Sequence, residues 1–181
     1  MKNLSSFPKV IKTSRLVLRY IDTTIENAKI LFDIIEQNRD YLEMWQGHFG
    51  ALRTVDDVFQ KLERRNTKTV KNEGVQFGIY KDDKLIGRIR FFNADDKSCE
   101  IGYWLIKSEN GNGYMTEALV ALEQELFKFG FEKIILEIDD GNIPSANVAK
   151  RNGYKLEKRL PMESYAKCVG KCDALVYVKK I

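Results

Sequence analysis

Histidine is nearly missing from this chain: His48 stands alone among 181 residues, beside only three cysteines, Cys99, Cys168 and Cys172. A zinc site draws about four ligands, mostly from those two residue types, at short and regular spacings. Those spacings are not found here, and no metal is expected. An odd cysteine count builds no disulfide framework, and a chain of this length can bury a core without one. The thiols read as free and the compartment as a reducing cytoplasm. No apolar run approaches the roughly 20 residues that cross a bilayer. Residues 1–10 lack the apolar stretch of a secretory leader, so neither membrane insertion nor export is expected. There is no internal repeat, low-complexity segment or proline-rich linker, and one domain over residues 1–181 is the reading. Charge of one sign is scarce too: 30 Lys and Arg against 26 Asp and Glu leave a net +4. The basic residues are scattered, whereas a nucleic-acid binder shows a dense stripe interleaved with aromatics. Nucleic acid is therefore a poor partner, while an anionic cofactor or assembly fits the mild surplus.

What is present is an ordinary core-forming composition, 44% hydrophobic and 31% charged. Residues 13–20 alternate apolar and polar and predict a half-buried strand with Leu16 and Leu18 on one face. A helix over 26–38 follows, with Ala28, Leu31, Phe32 and Ile35 in one stripe and cap chemistry at residues 22–24. Residues 39–50 carry Tyr41, Leu42, Met44 and Trp45. Thr54 and Asp57 resemble a capping box that opens a helix to about Val70. Strands at 75–80 and 85–93, joined by the polar turn 81–84, predict a hairpin. A third strand at 99–106 leads through the loop 108–113 into a helix over 115–129, which Gly130 ends. The nearly all-apolar 133–138 reads as a strand buried on both faces. A short helix over 145–152 and strands at 154–160 and 172–179 complete the order β-α-α-β-β-β-α-β-α-β-β, which implies a mixed sheet with helices on its faces. The last two strands could leave a pairing edge, which makes a homodimer conceivable.

The most informative segment is I-G-Y-W-L-I-K-S-E-N-G-N-G-Y-M-T-E-A at 101–118. A strand feeds a loop containing Gly111 and Gly113 that runs straight into a helix. Glycine permits positive φ and close backbone approach. The helix start adds unpaired N–H donors and the positive end of the dipole. Together these make a receptor for a diphosphate, although G-x-G before a helix is also ordinary turn chemistry. The segment has neither the third glycine of a dinucleotide fingerprint nor the Lys-Ser/Thr of a P-loop.

I-G-Y-W-L followed by G-x-G-Y-M-T-E-A resembles the central motif of the GNAT acetyltransferases. S-R-L-V-L-R at 14–19, N-R-D-Y-L-E-M-W at 38–45 and N-I-P-S-A-N-V-A-K-R-N-G-Y at 142–154 resemble further segments of its ribosomal-protein N-terminal acetyltransferase branch. The resemblance implies an α+β, three-layer fold: a mixed, mostly antiparallel central sheet of about seven strands flanked by about four helices. Residues 13–93 would form the part with the acceptor-side helices, and residues 98–181 the acetyl-CoA-binding core. It implies acetyl-CoA as co-substrate, without a metal, bound by Tyr103, Trp104, Leu105, Gly111, Asn112, Gly113, Tyr114, Met115, Thr116, Asn142, Ser145 and Asn147. Two positions depart from the superfamily pattern. Ser108 stands where the loop usually begins with Gln or Arg, and Ala149 stands where many members carry a tyrosine that protonates the thiolate.

The implied chemistry is direct attack of a primary amine on the thioester, without an acyl-enzyme. It needs a neutral amine, a donor for the developing oxyanion and stabilisation of the departing thiolate. Glu100 is the leading base; its other reading is a solvated carboxylate at a strand start. Ser145 is the thiolate partner on the family pattern, although Ser beside Pro144 is also a natural helix N-cap. Backbone N–H groups of 103–105 would serve the oxyanion if the strand bulges near Gly102. Of Tyr103 and Trp104, one is expected in the core and one at the cleft. Tyr41 and Trp45, together with Glu100, would line the acceptor site. Cys99 reads as a small buried hydrophobe, and His48 is given no role. The expected acceptor is a protein N-terminus, a ribosomal protein among the candidates. The alternatives are a small amine (polyamine, amino acid or aminoglycoside), a non-catalytic acetyl-CoA-binding or interaction module, or ribosome-surface binding through the basic excess.

Overall fold

The computed structural model describes residues 2–181, in which one eight-stranded sheet runs in the order β1-β2-β3-β4-β5-β6-β8-β7. Its strands are β1 (Val10–Lys12), β2 (Val17–Tyr20), β3 (Gly74–Lys81), β4 (Lys84–Phe92), β5 (Ser98–Leu105), β6 (Lys133–Asp139), β7 (Lys155–Ala166) and β8 (Gly170–Lys180). The helices are α1 (Ile25–Gln37), α2 (Arg39–Glu43), α3 (Val55–Val70), α4 (Tyr114–Lys128) and α5 (Ile143–Arg151). Every neighbouring pair is antiparallel except β5 with β6. Among the described residues, no helix is long and apolar enough to cross a membrane.

Local chemistry accounts for most boundaries. Thr24 caps α1 by accepting from the Asn27 N–H, and Thr54 with Asp57 forms a reciprocal capping box on α3. Asp82 and Asp83 both have positive φ, which matches the right-handed twist of the β3–β4 hairpin. The sheet and helix counts exceed the sequence expectation by one each. The predicted strand 13–20 shortens to β2, because Thr13 bonds Leu16 across a tight turn, and the extra strand β1 precedes that turn at residues 10–12. Residues 39–43 wind into α2, a helix too short for periodicity to reveal. The expectation that 133–138 is buried on both faces does not hold. In β6, Ile134, Leu136 and Ile138 are buried, whereas Glu137 between them is exposed. Of the two late strands, only β7 is an edge; β8 lies between β6 and β7.

Alternation sorts the side chains into two cores, one on each face of the sheet. Leu18, Phe77, Ile89, Phe91 and Ile134 pack with Leu119 and Leu122 of α4. Leu31, Leu62, Phe49 and Trp104 pack on the opposite face with α1 and α3. Full burial of such side chains contributes roughly 1.5–3 kcal/mol each. Inside the first core, Glu123 of α4 is 2% exposed and is met by Lys179 Nζ from β8 at 2.6 Å. Lys179→Met should destabilise the protein by about 3–5 kcal/mol, because it strands a buried carboxylate. Denaturant titration checks this, and adding Glu123→Leu should recover most of the loss.

Candidate active site

β5 and β6 pair only over Ser98–Glu100 and Lys133–Ile135, and beyond Glu100 the two strands part. On its other side β5 stays paired with β4 without interruption, from Phe92 opposite Glu100 to Gly87 opposite Leu105. The expected bulge at Gly102 is therefore absent; loss of the neighbour opens the sheet instead. Ile106 donates to Ile86 O, so by antiparallel alternation the main-chain groups of Ile101, Tyr103 and Leu105 face the gap. Tyr103 C=O is met there by Gln46 Nε2 at 2.9 Å.

At one end of the gap lies the glycine loop. Gly111 and Gly113 adopt φ of +80° and +78°, a region that side-chain-bearing residues seldom enter. Gly113 is the N-cap of α4 and supplies no side-chain cap. Among the described residues, no acceptor reaches the N–H groups of 111–116, which leaves the helix start open to an anion. Glu117, one turn in, anchors the loop from beneath. Its carboxylate accepts from Thr13 Oγ1 at 2.6 Å, Ser14 Oγ at 3.0 Å, and the Arg15 N–H and Nε at 2.9 and 2.7 Å. Arg15 in turn donates to Asn112 O and lies over the Tyr114 ring. Burial opposes the Glu117 anion, but the hydrogen bonds from Thr13, Arg15 and Ser14 outweigh it and hold the carboxyl below the usual range.

From the loop an apolar cleft of about 330 Å³ runs past Met115, Leu105, Pro144 and Val148 to Ser145. A second, polar cavity of about 230 Å³ contains Arg65, Arg88, Arg90 and Glu137. The two share Trp45, Gln46, Tyr103, Trp104, Asn142 and Ser145. At this junction Tyr103 Oη lies 2.9 Å from Ser145 Oγ. Burial pushes the Tyr103 phenol up to about 12, the Ser145 hydrogen bond opposing and Glu123 adding, so the phenol remains a proton donor at neutral pH.

The N-cap reading of Ser145 fails: Asn142 is the cap and accepts from the Ser145 N–H, which leaves the Ser145 hydroxyl free for the junction. The expected division into one core and one cleft residue holds only in part: Tyr103 and Trp104 both border the two cavities, Trp104 being also packed into the core edge-on to Phe49 at 5.7 Å. Tyr41 lines only the apolar cleft and is tied to the glycine loop by Asn110 Nδ2 at 3.0 Å, away from the polar cavity. Trp45 borders both cavities. Asn147 is exposed and lines neither, because it lies on the solvent face of α5. Glu100 also lines neither; it sits where the strands still pair, its Oε1 held by Asn93 Nδ2. Two carboxylates stand on the cavity wall, Asp139, which accepts from Ser164 Oγ, and Glu137, two residues beyond the last β6 position paired with β5. Glu137 is open to solvent on one side, and its partial burial against the wall, then Glu100, Asp139 and Glu163, push its carboxyl up. Sequence reasoning missed Glu137, Gln46 and the two β4 arginines, because their relevance arises only where distant strands part. Cys99 is buried, and burial pushes its thiol up, which rules it out as a nucleophile.

Residues 15–155 match the family described as Acetyltransferase (GNAT) domain. The ribosomal-protein-serine acetyltransferase of Escherichia coli (strain K12) is 29% identical over 134 residues, covering 72% of this chain and 75% of the relative. The probable N-acetyltransferase YjcK of Bacillus subtilis (strain 168) is 26% identical, over 82% and 84%. The solved RimL ribosomal L7/L12 alpha-N-protein acetyltransferase in complex with coenzyme A superposes with a TM-score of 0.89 at 21% identity, over 95% of this chain and 98% of that one. The microcin C7 self-immunity acetyltransferase MccE, solved with acetyl-CoA and AMP, gives 0.85 at 24% identity, over 93% and 94%.

Glu117→Gln should cost about 1–3 kcal/mol at pH 7, as Thr13, Ser14 and Arg15 lose a charged acceptor. Because the folded carboxyl titrates below its ordinary 4.5, this stabilisation is present above that value and lost as pH falls through the folded value. Urea titrations of both proteins from pH 7 down to about pH 3 should therefore converge.

Proposed function

The chain belongs to the GNAT acetyltransferases, acyltransferases that draw on acetyl-CoA, and we propose that its acceptor is the N-terminal α-amine of a protein or peptide. The observation that carries the reading is the meeting of two cavities at the Tyr103–Ser145 pair. One leads from an open anion receptor, and the other is polar and reaches the opposite face of the parted strands. The name of the Escherichia coli relative supports a ribosomal protein as acceptor.

In this reading the N–H groups of 111–116 grip the diphosphate, and the apolar cleft beside α5 takes the pantetheine arm. Asn142 stands ready for its amides. The N–H groups of Tyr103 and Leu105, unpaired toward the gap, stabilise the oxyanion as the amine attacks. Ser145 Oγ, backed by the Tyr103 O–H, gives the departing sulfur its proton as the carbon–sulfur bond breaks. This pair takes the place of the tyrosine missing at Ala149. Glu137 removes the proton of the attacking amine through water, and its raised pKa suits that task better than an ordinary carboxylate. Glu100 acts on Glu137 electrostatically. A polyamine acceptor is disfavoured, because the inner wall of the polar cavity carries three arginines.

Ser145→Ala should lower kcat on the order of 10²-fold with little change in KM for acetyl-CoA, read by thiol release. Glu137→Gln should lower kcat/KM more than Glu100→Gln and remove the decline of the wild type on acidification; the reverse ranking returns the base role to Glu100. Incubation with acetyl-CoA should add one acetyl group to the α-amine of peptides from a varied N-terminal panel, read by mass spectrometry. A panel left unmodified, alongside turnover of polyamines, would refute the acceptor assignment.

A further inference from the structure

Among the described residues, buried charges are paired, with one exception. Glu43, 6% exposed, is met by Arg39, Arg53 and Lys167, and Glu123 by Lys179. Arg88 is equally buried, at 7% exposure, yet among the described residues no ion pair includes it, Arg90 or Arg65. All three line the polar cavity. Arg88 and Arg90 share one face of β4, opposite Trp104 and Gly102 of β5. Their guanidiniums lie over aromatic rings, Arg88 5.9 Å from the Trp104 centroid and Arg90 3.9 Å from that of Phe92. A stacked guanidinium keeps its N–H edge free for a planar, two-oxygen partner. Arg65 Nη1 and Trp104 Nε1 are also buried without a hydrogen-bond partner.

The positive charge of these groups also reaches two neighbours, whose shifts burial sets first. Burial, then Arg88, Arg90 and Arg64, pushes Lys61 down to about 7. Burial, followed by Lys61, Arg88 and Arg90, pushes His48 down to about 3. No carboxylate of the cavity pairs with the arginines among the described residues: Glu137 and Asp139 form no ion pair with them, Asp139 accepts from Ser164 Oγ, and the charge that favours Arg90 is that of Glu100, outside the cavity, which burial outweighs. A charge held desolvated and unpaired is strongly unfavourable unless a partner arrives. The cavity is built for an oxyanion that the chain itself lacks.

We propose that an acidic side chain of the acceptor peptide fills this cavity, so that the chain selects N-termini with Asp or Glu at the second or third residue. The inference rests on the N-terminal acetyltransferase reading, since the cavity shares Ser145 and Tyr103 with the cofactor cleft. Its size admits one side chain beside the attacking amine.

Matched peptides beginning Ser-Asp, Ser-Glu, Ser-Asn and Ser-Gln test it with the full chain and acetyl-CoA. The acidic pair should show kcat/KM at least about tenfold above the amides, carried mostly by KM, as expected where one charged hydrogen-bonded pair is made or lost. Arg88→Gln and Arg90→Gln should each bring that ratio close to one, while calorimetry shows coenzyme A still bound by both variants. Equal kcat/KM across the four peptides overturns the inference and leaves N-terminal acetylation standing. Absence of acetylation on all four, with thiol release to other amines, refutes the acceptor reading beneath it. Faster turnover of phosphoethanolamine than of any peptide assigns the arginines to a phosphorylated small amine and overturns the acidic-peptide assignment.

Discussion

The parting of β5 from β6 after three residue pairs is the constraint on which the site depends. A sheet gains its stability by saturating main-chain groups, and an interior strand that abandons its neighbour leaves donors and acceptors facing a void. Here Gln46 satisfies the Tyr103 carbonyl from across the gap, while the remaining groups stay free for an incoming ligand. The same opening joins the two faces of the sheet, which in an intact sheet have no passage between them. Cofactor-side and acceptor-side cavities meet because the sheet fails to close.

Around that opening, rigidity comes from charge-assisted hydrogen bonds. Glu117 gathers donors from Thr13, Ser14 and Arg15 under the glycine loop, which ties the first strands of the chain to the helix that would meet a diphosphate. Arg39 holds the segment after α1 by donating to Phe49 O and Leu52 O while pairing with Glu36 and Glu43. These anchors keep Trp45 and Gln46 at the junction. Against this background the β4 arginines stand out, since among the described residues Arg88 is buried without an ion pair whereas Glu43 and Glu123 are met by cations.

Much of this was legible from local pattern. The capping box at Thr54 and Asp57, the hairpin turn at 82–83, the glycine loop before α4 and the role of Gly130 all depend on residues within a few positions of one another. The family resemblance located Ser145 and the loop. Other features were illegible for a physical reason: Glu137 of β6, Gln46 after α2, and Arg88 and Arg90 of β4 come from three distant segments, and nothing in their local surroundings distinguishes them from solvated residues. The expected bulge at Gly102 erred in the same way, because it sought within one strand what the loss of a neighbouring strand supplies. Ser145 could be read as a cap only while the conformation of Asn142 was unknown.

The sequence by itself determined the element order apart from β1 and α2, the mixed sheet with helices on its faces and the anion-receptive turn, because periodicity, capping and glycine conformation act over short stretches of chain. Only the tertiary structure decided where β5 and β6 separate, that a phenol from β5 completes the Ser145 site, which carboxylate reaches the cavity, and that the β4 arginines lack partners. Those properties depend on long-range pairing and on desolvation, and neither exists until distant segments share the same interior.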